Sequence, residues 1–144
     1  MPTNKHAAMQ DWLAECPLLD EELLFDFLNE RNGSASISPV SGEAWVKRYV
    51  RNSGVKRYQF AVQVMLAASD STDSTNTDNM YLLDMWREWI EDQENAGNYP
   101  DFGERCSSYE LSNLSNMPQL AQRYESGFAK YTFYAQIQYY DKGD

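Results

Sequence analysis

The sequence is poor in the residues that most enzyme chemistry uses. It holds one histidine, His6, and two cysteines, Cys16 and Cys106. A Ser-His-Asp or Cys-His centre needs an imidazole held firmly against its nucleophile. His6 lies in an N-terminal turn expected to fray, so it is assigned no catalytic role. The cysteines lack CxxC spacing, which leaves no written zinc site. There is no GxGxxG, Walker or HExxH motif, and the missing glycine-rich loops argue against nucleotide binding. No apolar run approaches the roughly 20 residues of a membrane helix. Met1 to Gln10 has no apolar core and no cleavage pattern of a signal peptide. The expectation is a chain made in a reducing cytoplasm with both thiols free, with no catalytic residues, cofactor, metal or membrane partner.

What remains is globular in composition. The chain has 144 residues, 42% hydrophobic and 24% charged. That length suits one domain, residues 1–144, able to bury a core without disulfides. Aromatic content is high at 14%, with ten tyrosines and four tryptophans. Such residues suit an interface, and they equally suit a tyrosine-rich sheet with one solvated face. The net charge of −10 favours solubility and opposes specific nucleic-acid binding, because the chain repels phosphates.

Hydrophobic periodicity supplies the elements. Asn4 to Cys16 reads as a helix with Ala7, Ala8, Met9, Trp12 and Leu13 on one stripe, ended by Pro17. Leu18 to Glu30 fits either a helix (Leu19, Leu23, Phe27) or a strand (Leu23, Phe25, Phe27). Ala35 to Val40 looks extended. Trp45 to Arg51 and Val55 to Ala68 flank Asn52-Ser53-Gly54, a hairpin with glycine available for positive φ. In its second arm Tyr58, Phe60, Val62, Val64 and Leu66 alternate with smaller or polar residues, as one buried strand face requires.

Ser69 to Asn79 reads SDSTDSTNTDN and is expected to be a solvated, mobile loop, with Thr77 and Asp78 as helix caps. The spacing predicts a helix from about Asn79 to Asn95. Its apolar face is Leu82, Met85, Trp86, Trp89 and Ile90, with Gly97 and Pro100 as stop signals. Tyr109 to Leu114 and Lys130 to Tyr140 read as strands, and Met117 to Glu125 as a segment with room for one helical turn. The second strand places Tyr131, Phe133, Ala135, Ile137 and Tyr139 on one face. Together these elements predict an α+β fold, a mainly antiparallel sheet packed against two or three helices.

Charge is uneven. Lys47, Arg48, Arg51, Lys56 and Arg57 fall within eleven residues around the hairpin turn, with no acid among them. Asp11 to Glu30 carries seven acids and no base. The basic tip could dock on an acidic flank of another copy, or serve as a charged end that blocks edge pairing. Asp84, Glu88, Glu91 and Asp92 read as the solvated side of the helix. Asp70, Asp73, Asn76 and Asp78 offer oxygen ligands but miss the calcium-loop spacing. Asp70, Asp73 and Asn76 are instead expected to contact partners.

The order of segments carries a resemblance. A short helix with a tryptophan precedes Leu24-Phe25-Asp26-Phe27-Leu28 and Ser36-Ile37-Ser38-Pro39-Val40. Then come Val46-Lys47-Arg48-Tyr49-Val50, a glycine turn, and Lys56-Arg57-Tyr58-Gln59-Phe60. Trp89-Ile90-Glu91, Tyr99-Pro100-Asp101-Phe102 and the aromatic strand Tyr131 to Tyr140 follow. This arrangement, over nearly the whole chain, resembles the tail terminator (minor capsid) proteins of siphophages and prophages of Gram-positive bacteria. The resemblance implies an extended Leu24 to Leu28. It also implies a ring, commonly of six subunits, that caps the tail tube and faces the head-side connector. The implied partners are other copies of the chain, the tail tube protein and a connector or neck protein, at the head–tail junction of the virion. A neck or head-completion protein and a small intracellular binding module are the alternative readings.

Overall fold

The computed structural model describes residues 4–19, 22–26, 28, 32–42, 44–67, 75–114, 119–124 and 127–143. Two long strands dominate it, and both were legible from their alternation. β4 (Gly54–Ala67) pairs with β7 (Phe128–Asp141) antiparallel along their whole lengths, from Gly54 opposite Asp141 to Ala67 opposite Phe128. Shorter strands flank this pair. β2 (Ala35–Pro39) and β3 (Trp45–Arg48) share one edge of β4, and β1 (Leu24–Phe25) runs parallel to β2. β5 (Cys106–Asn113) and β6 (Gln119–Arg123) share the outer edge of β7. The result is a seven-stranded mixed sheet, antiparallel except for β1–β2.

Both helices pack on one face of that sheet. The face is set by the period of two: Phe60, Val62, Val64 and Leu66 of β4 lie opposite Ala135, Phe133, Tyr131 and Ala129 of β7. These residues, with Ile37 of β2, are buried in one core with Met9, Trp12 and Leu13 of α1 (Lys5–Leu13). α2 (Thr75–Ala96) adds Leu83, Trp86 and Ile90. Full burial of side chains this large stabilises by about 1.5–3 kcal/mol each. Trp89 is only half-buried, with its ring 5.3 Å from that of Trp12.

The helix ends have visible causes. Asn4 caps α1, its side-chain oxygen accepting from the Ala7 N–H at 3.1 Å. α2 ends at Gly97 (φ 69), where Gly97 N–H reaches the Glu94 carbonyl and Asn98 N–H the Gln93 carbonyl. That pair of bonds is a Schellman closure, which needs a left-handed residue. Trp12 Nε1 donates to the Asn98 carbonyl at 2.9 Å, which ties α1 to the end of α2.

Several expectations are corrected. α2 starts at Thr75, so Thr77 and Asp78 lie inside it and do not cap it. Asn79 helps hold these early turns, its amide donating to the Ala67 carbonyl at 2.7 Å. Leu83, absent from the expected apolar face, is fully buried, whereas Leu82 and Met85 are half-buried. Residues 119–123 form strand β6 where a helical turn had room. Leu24 and Phe25 are extended, which decides the ambiguity left by periodicity for those two residues. In the hairpin, positive φ falls on Gly54 (150°), as expected, where a Cβ would stand 2.2 Å from the Lys47 carbonyl oxygen, and also on Arg51 (59°) and Asn52 (61°), which were not expected to carry it.

Candidate assembly surface

The β3–β4 hairpin is built as a rigid prong. Arg51 and Asn52, both left-handed, are the central residues of a tight turn closed by Ser53 N–H on the Val50 carbonyl at 3.1 Å. Two consecutive left-handed residues are the signature of a type I′ turn, whose twist suits a two-stranded ribbon. Arginine has no glycine-like freedom there, and a left-handed non-glycine residue costs about 1–2 kcal/mol. The C-terminus holds the turn from behind. Gly143 packs so close that a Cβ on it would stand 2.2 Å from the Arg51 carbonyl oxygen.

The cations grouped in sequence take different roles in space. Lys56 Nζ pairs with Asp141 Oδ2 at 3.1 Å, and Asp141 is fully buried. Arg105 adds Nε at 2.9 Å to Asp141 Oδ1, and Gly143 N–H donates to the same oxygen at 2.9 Å. Burial alone would raise the Asp141 pKa. The Gly143, Arg105 and Lys56 hydrogen bonds outweigh it and hold the carboxyl at about 2. Lys56 is therefore part of a structural lock at the base of the basic hairpin. Its ammonium also stands 4.3 Å from the Trp45 ring centroid, with the Arg48 guanidinium at 4.6 Å. Lys47 lies over the Tyr49 ring at 5.5 Å. Lys47, Arg48 and Arg51 are exposed, whereas Arg57 is half-buried and bonds the Ala44 carbonyl through its backbone N–H.

Tyrosines continue the prong onto the sheet face that carries no helix. Val55 and Tyr140 form one cross-strand pair there, and Arg57 and Gln138 the next. Tyr49 packs on Tyr140 with ring centroids 6.4 Å apart. The Tyr109 hydroxyl reaches Gln138 Oε1 at 3.0 Å. Tyr49, Tyr109, Tyr134 and Tyr140 are all exposed, as are Val46 and Val50, the latter at 78%. Further along this face Met65 and Thr132 are buried. The exposed patch thus lies toward the prong. The sequence singles out the cations; of these tyrosines only Tyr134 and Tyr140 carry a signal, their alternation with core residues on β7, whereas Tyr109 lies on β5 and Tyr49 just after β3.

α2 presents a surface of opposite character. Tyr81, Asp84, Glu88, Glu91 and Asp92 are exposed along it, with Tyr81 at 67%. No basic residue occupies its last turn. Of the acidic stretch 11–30, Asp11, Glu15, Glu22 and Asp26 are exposed, and Asp20, Glu21 and Glu30 lie outside the described residues.

The remaining candidate residues do not converge. His6 sits in the first turn of α1, which Asn4 caps. Its Nδ1 lies 2.6 Å from the Tyr58 hydroxyl, and its ring packs edgewise on Phe25 and Tyr58. Burial pushes the Tyr58 phenol up to about 12, so it keeps its proton and serves the hydrogen bond. A shallow notch of about 180 Å³ opens beside them, between β2 and β3, lined also by Pro39, Val40 and Gln59. Asp70 and Asp73 lie outside the described residues, and Asn76 is in the first turn of α2, which corrects its assignment to a loop. Among the described residues no group of three His, Cys, Asp or Glu is placed to hold a metal ion. No described helix is long and apolar enough to cross a membrane. Cys16 and Cys106 are both unpaired, and burial pushes the Cys16 thiol up to about 11. No protein-family model matches the chain, and no curated protein matches it in sequence.

Proposed function

We propose that this chain is a structural assembly subunit of the tail-terminator type. It closes into a ring on the end of a phage tail tube, stops tube growth and presents a surface to the head-side connector. In that role it acts as one domain at the head–tail junction, is made in the bacterial host cytoplasm, and performs no catalysis. Its neighbours are further copies of itself, the tail tube protein and a connector or neck protein.

The observation that carries this reading is the one-sided sheet. Helices cover one face, and the exposed end of the other bears Tyr49, Tyr109, Tyr134 and Tyr140 beside a rigid prong. A ring built by rotation needs two different surfaces on one subunit that fit each other. Tyrosine supplies buried contact area at low entropic cost while its hydroxyl stays satisfied. The ordered segment resemblance, from the Trp12 helix to the closing aromatic strand, points the same way.

The test is tail assembly without the protein. Tails made in its absence are expected to be of uncontrolled length or unable to join heads, and purified protein should restore both properties. Tails of normal length joined to heads in its absence would overturn the reading.

A further inference from the structure

We infer that the prong and its tyrosine-bearing sheet end dock on the exposed acidic stripe of α2 in a second copy of this chain. The inference rests on the self-association part of the reading above and names the two surfaces that meet.

Charge in this molecule is divided between surfaces. The prong exposes Lys47, Arg48 and Arg51, in a chain whose net charge is −10. Lys47 and Arg51 take part in no ion pair among the described residues, unlike Lys56. Val46, Tyr49 and Val50 stand exposed among these cations, so a partner gains apolar burial as well as charge.

The α2 stripe complements that surface and is unfavourable on its own. Asp84, Glu88 and Asp92 repeat every four residues, which stacks like charges on one line of the helix. Glu91 follows Glu88 by three residues and widens the line with a further like charge. Asp92 lies next to the last turn of α2, where carbonyl groups already make the helix end negative. The one basic residue of α2 is Arg87, 3.9 Å from Asp84 and directly before Glu88, set against the four acids of the stripe. A cationic prong would relieve both repulsions. Tyr81 gives the stripe its own aromatic contact.

The acidic 11–30 stretch, prominent in sequence order, offers no such line of charge. The described acids there sit on separate elements: Asp11 on α1, Glu15 and Glu22 beyond it, and Asp26 in a left-handed bend. α2 carries its acids along one rigid rod. Prong and stripe belong to different elements of the subunit, so the contact is heterologous and suited to a ring.

A charge swap on the full chain tests this by sedimentation. One variant carries Lys47→Glu and Arg51→Glu, and the other Glu88→Lys and Asp92→Lys. Wild-type protein at low salt and high concentration should self-associate, at least tenfold more weakly when salt is raised. Each variant alone should lose self-association at least tenfold, because like charges then face each other. An equal mixture should recover it, since the acidic prong of the first variant meets the basic stripe of the second, and the unaltered prong of the second meets the unaltered stripe of the first. Both variants stay net acidic, as two reversals cannot offset −10, so bulk attraction does not explain recovery. The neutral pair Lys47→Gln and Arg51→Gln should weaken association by a smaller factor and serves if the reversed pair does not fold. A mixture that stays monomeric while wild type associates overturns this inference and leaves the ring reading standing. Wild type with no self-association overturns it and weighs on the ring reading too. A monomeric wild type that instead retains a single-stranded oligonucleotide, lost on Lys47→Glu and Arg51→Glu, overturns it in favour of a polyanion.

Discussion

Lys56 and Asp141 are diagonal neighbours across the central strand pair, not direct partners. The register sets Lys56 opposite Tyr139 and Gly54 opposite Asp141. The lysine reaches one pair further along the same face to close a 3.1 Å ion pair on a fully buried carboxylate. Diagonal pairs at this separation are within reach of long side chains. The bond fixes the last residue of β7 against the base of the prong.

Asp141→Asn should therefore weaken the whole fold. Removing one member of a buried, hydrogen-bonded charge group typically costs about 3–5 kcal/mol. Here Arg105 is half-exposed and can resolvate, so a loss of about 3 kcal/mol is expected by urea unfolding. The pH dependence follows from the sign of the shift. Asp141 is depressed to about 2 in the folded chain, so the unfolded chain binds the proton more readily. Its contribution, on the order of 2 kcal/mol, is fully present above about pH 4 and is lost as pH falls through about 2. A wild-type protein whose stability is flat across that window relative to Asp141→Asn would refute the lock.

Reversals within the basic hairpin should separate by role. Lys56→Glu places a second carboxylate against Asp141 and should lower the melting temperature sharply, by about 10 °C if it costs about 3 kcal/mol. Lys47→Glu, on an exposed side chain, should change stability by about 0.5 kcal/mol or less. Thermal melts of the two single variants decide this. Equal losses would mean that sequence adjacency, not the Asp141 contact, sets their roles.

The sequence made the centre of this fold legible and its margins obscure. β4 and β7 are readable because Tyr58 to Leu66 and Tyr131 to Tyr139 each alternate with one strongly apolar face. β6 is not, since all of its residues are exposed and only Leu120 is a large apolar residue; its order comes from the β7 ladder. The start of α2 hid in Ser, Thr, Asp and Asn residues of low helix propensity. The Asn79 bond to the Ala67 carbonyl is a tertiary contact that no local pattern reports. The basic residues of the candidate surface were visible as a cluster. Their division into Lys56 within and Lys47 and Arg51 without was not, because it depends on Asp141, which is 85 residues from Lys56 along the chain.

The prong turn gives a prediction of opposite sign. Arg51 and Asn52 occupy left-handed positions that Asn-Gly satisfies better. The double change Arg51→Asn and Asn52→Gly should raise stability by about 1 kcal/mol. Gly143→Ala should lower it by about 2 kcal/mol or more, because its φ of +76 and the Arg51 carbonyl at 2.2 Å both exclude a side chain. Urea midpoints with unchanged slopes would confirm that both changes act on stability. A neutral Gly143→Ala would mean that the C-terminus does not hold the turn.

The α2 stripe predicts that stability and assembly pull apart. Asp92 is exposed in the C-terminal part of the helix, four residues after Glu88. Asp92→Lys removes a like-charge pair and creates a Glu-to-Lys pair in the favourable i,i+4 direction, about 0.2–0.5 kcal/mol for each effect. A cation near the helix C-terminus adds about 0.3–1 kcal/mol. The isolated subunit should then be more stable by about 1 kcal/mol, a rise of roughly 3 °C in melting temperature. Salt should shrink that gain, since exposed charges are screened over about 10 Å at 0.1 M. Sedimentation of the same variant should show weaker self-association than wild type. A surface kept only for solubility would allow the first effect without the second. Gained stability with unchanged association would therefore show that the acids of α2 meet no cation on a neighbouring copy.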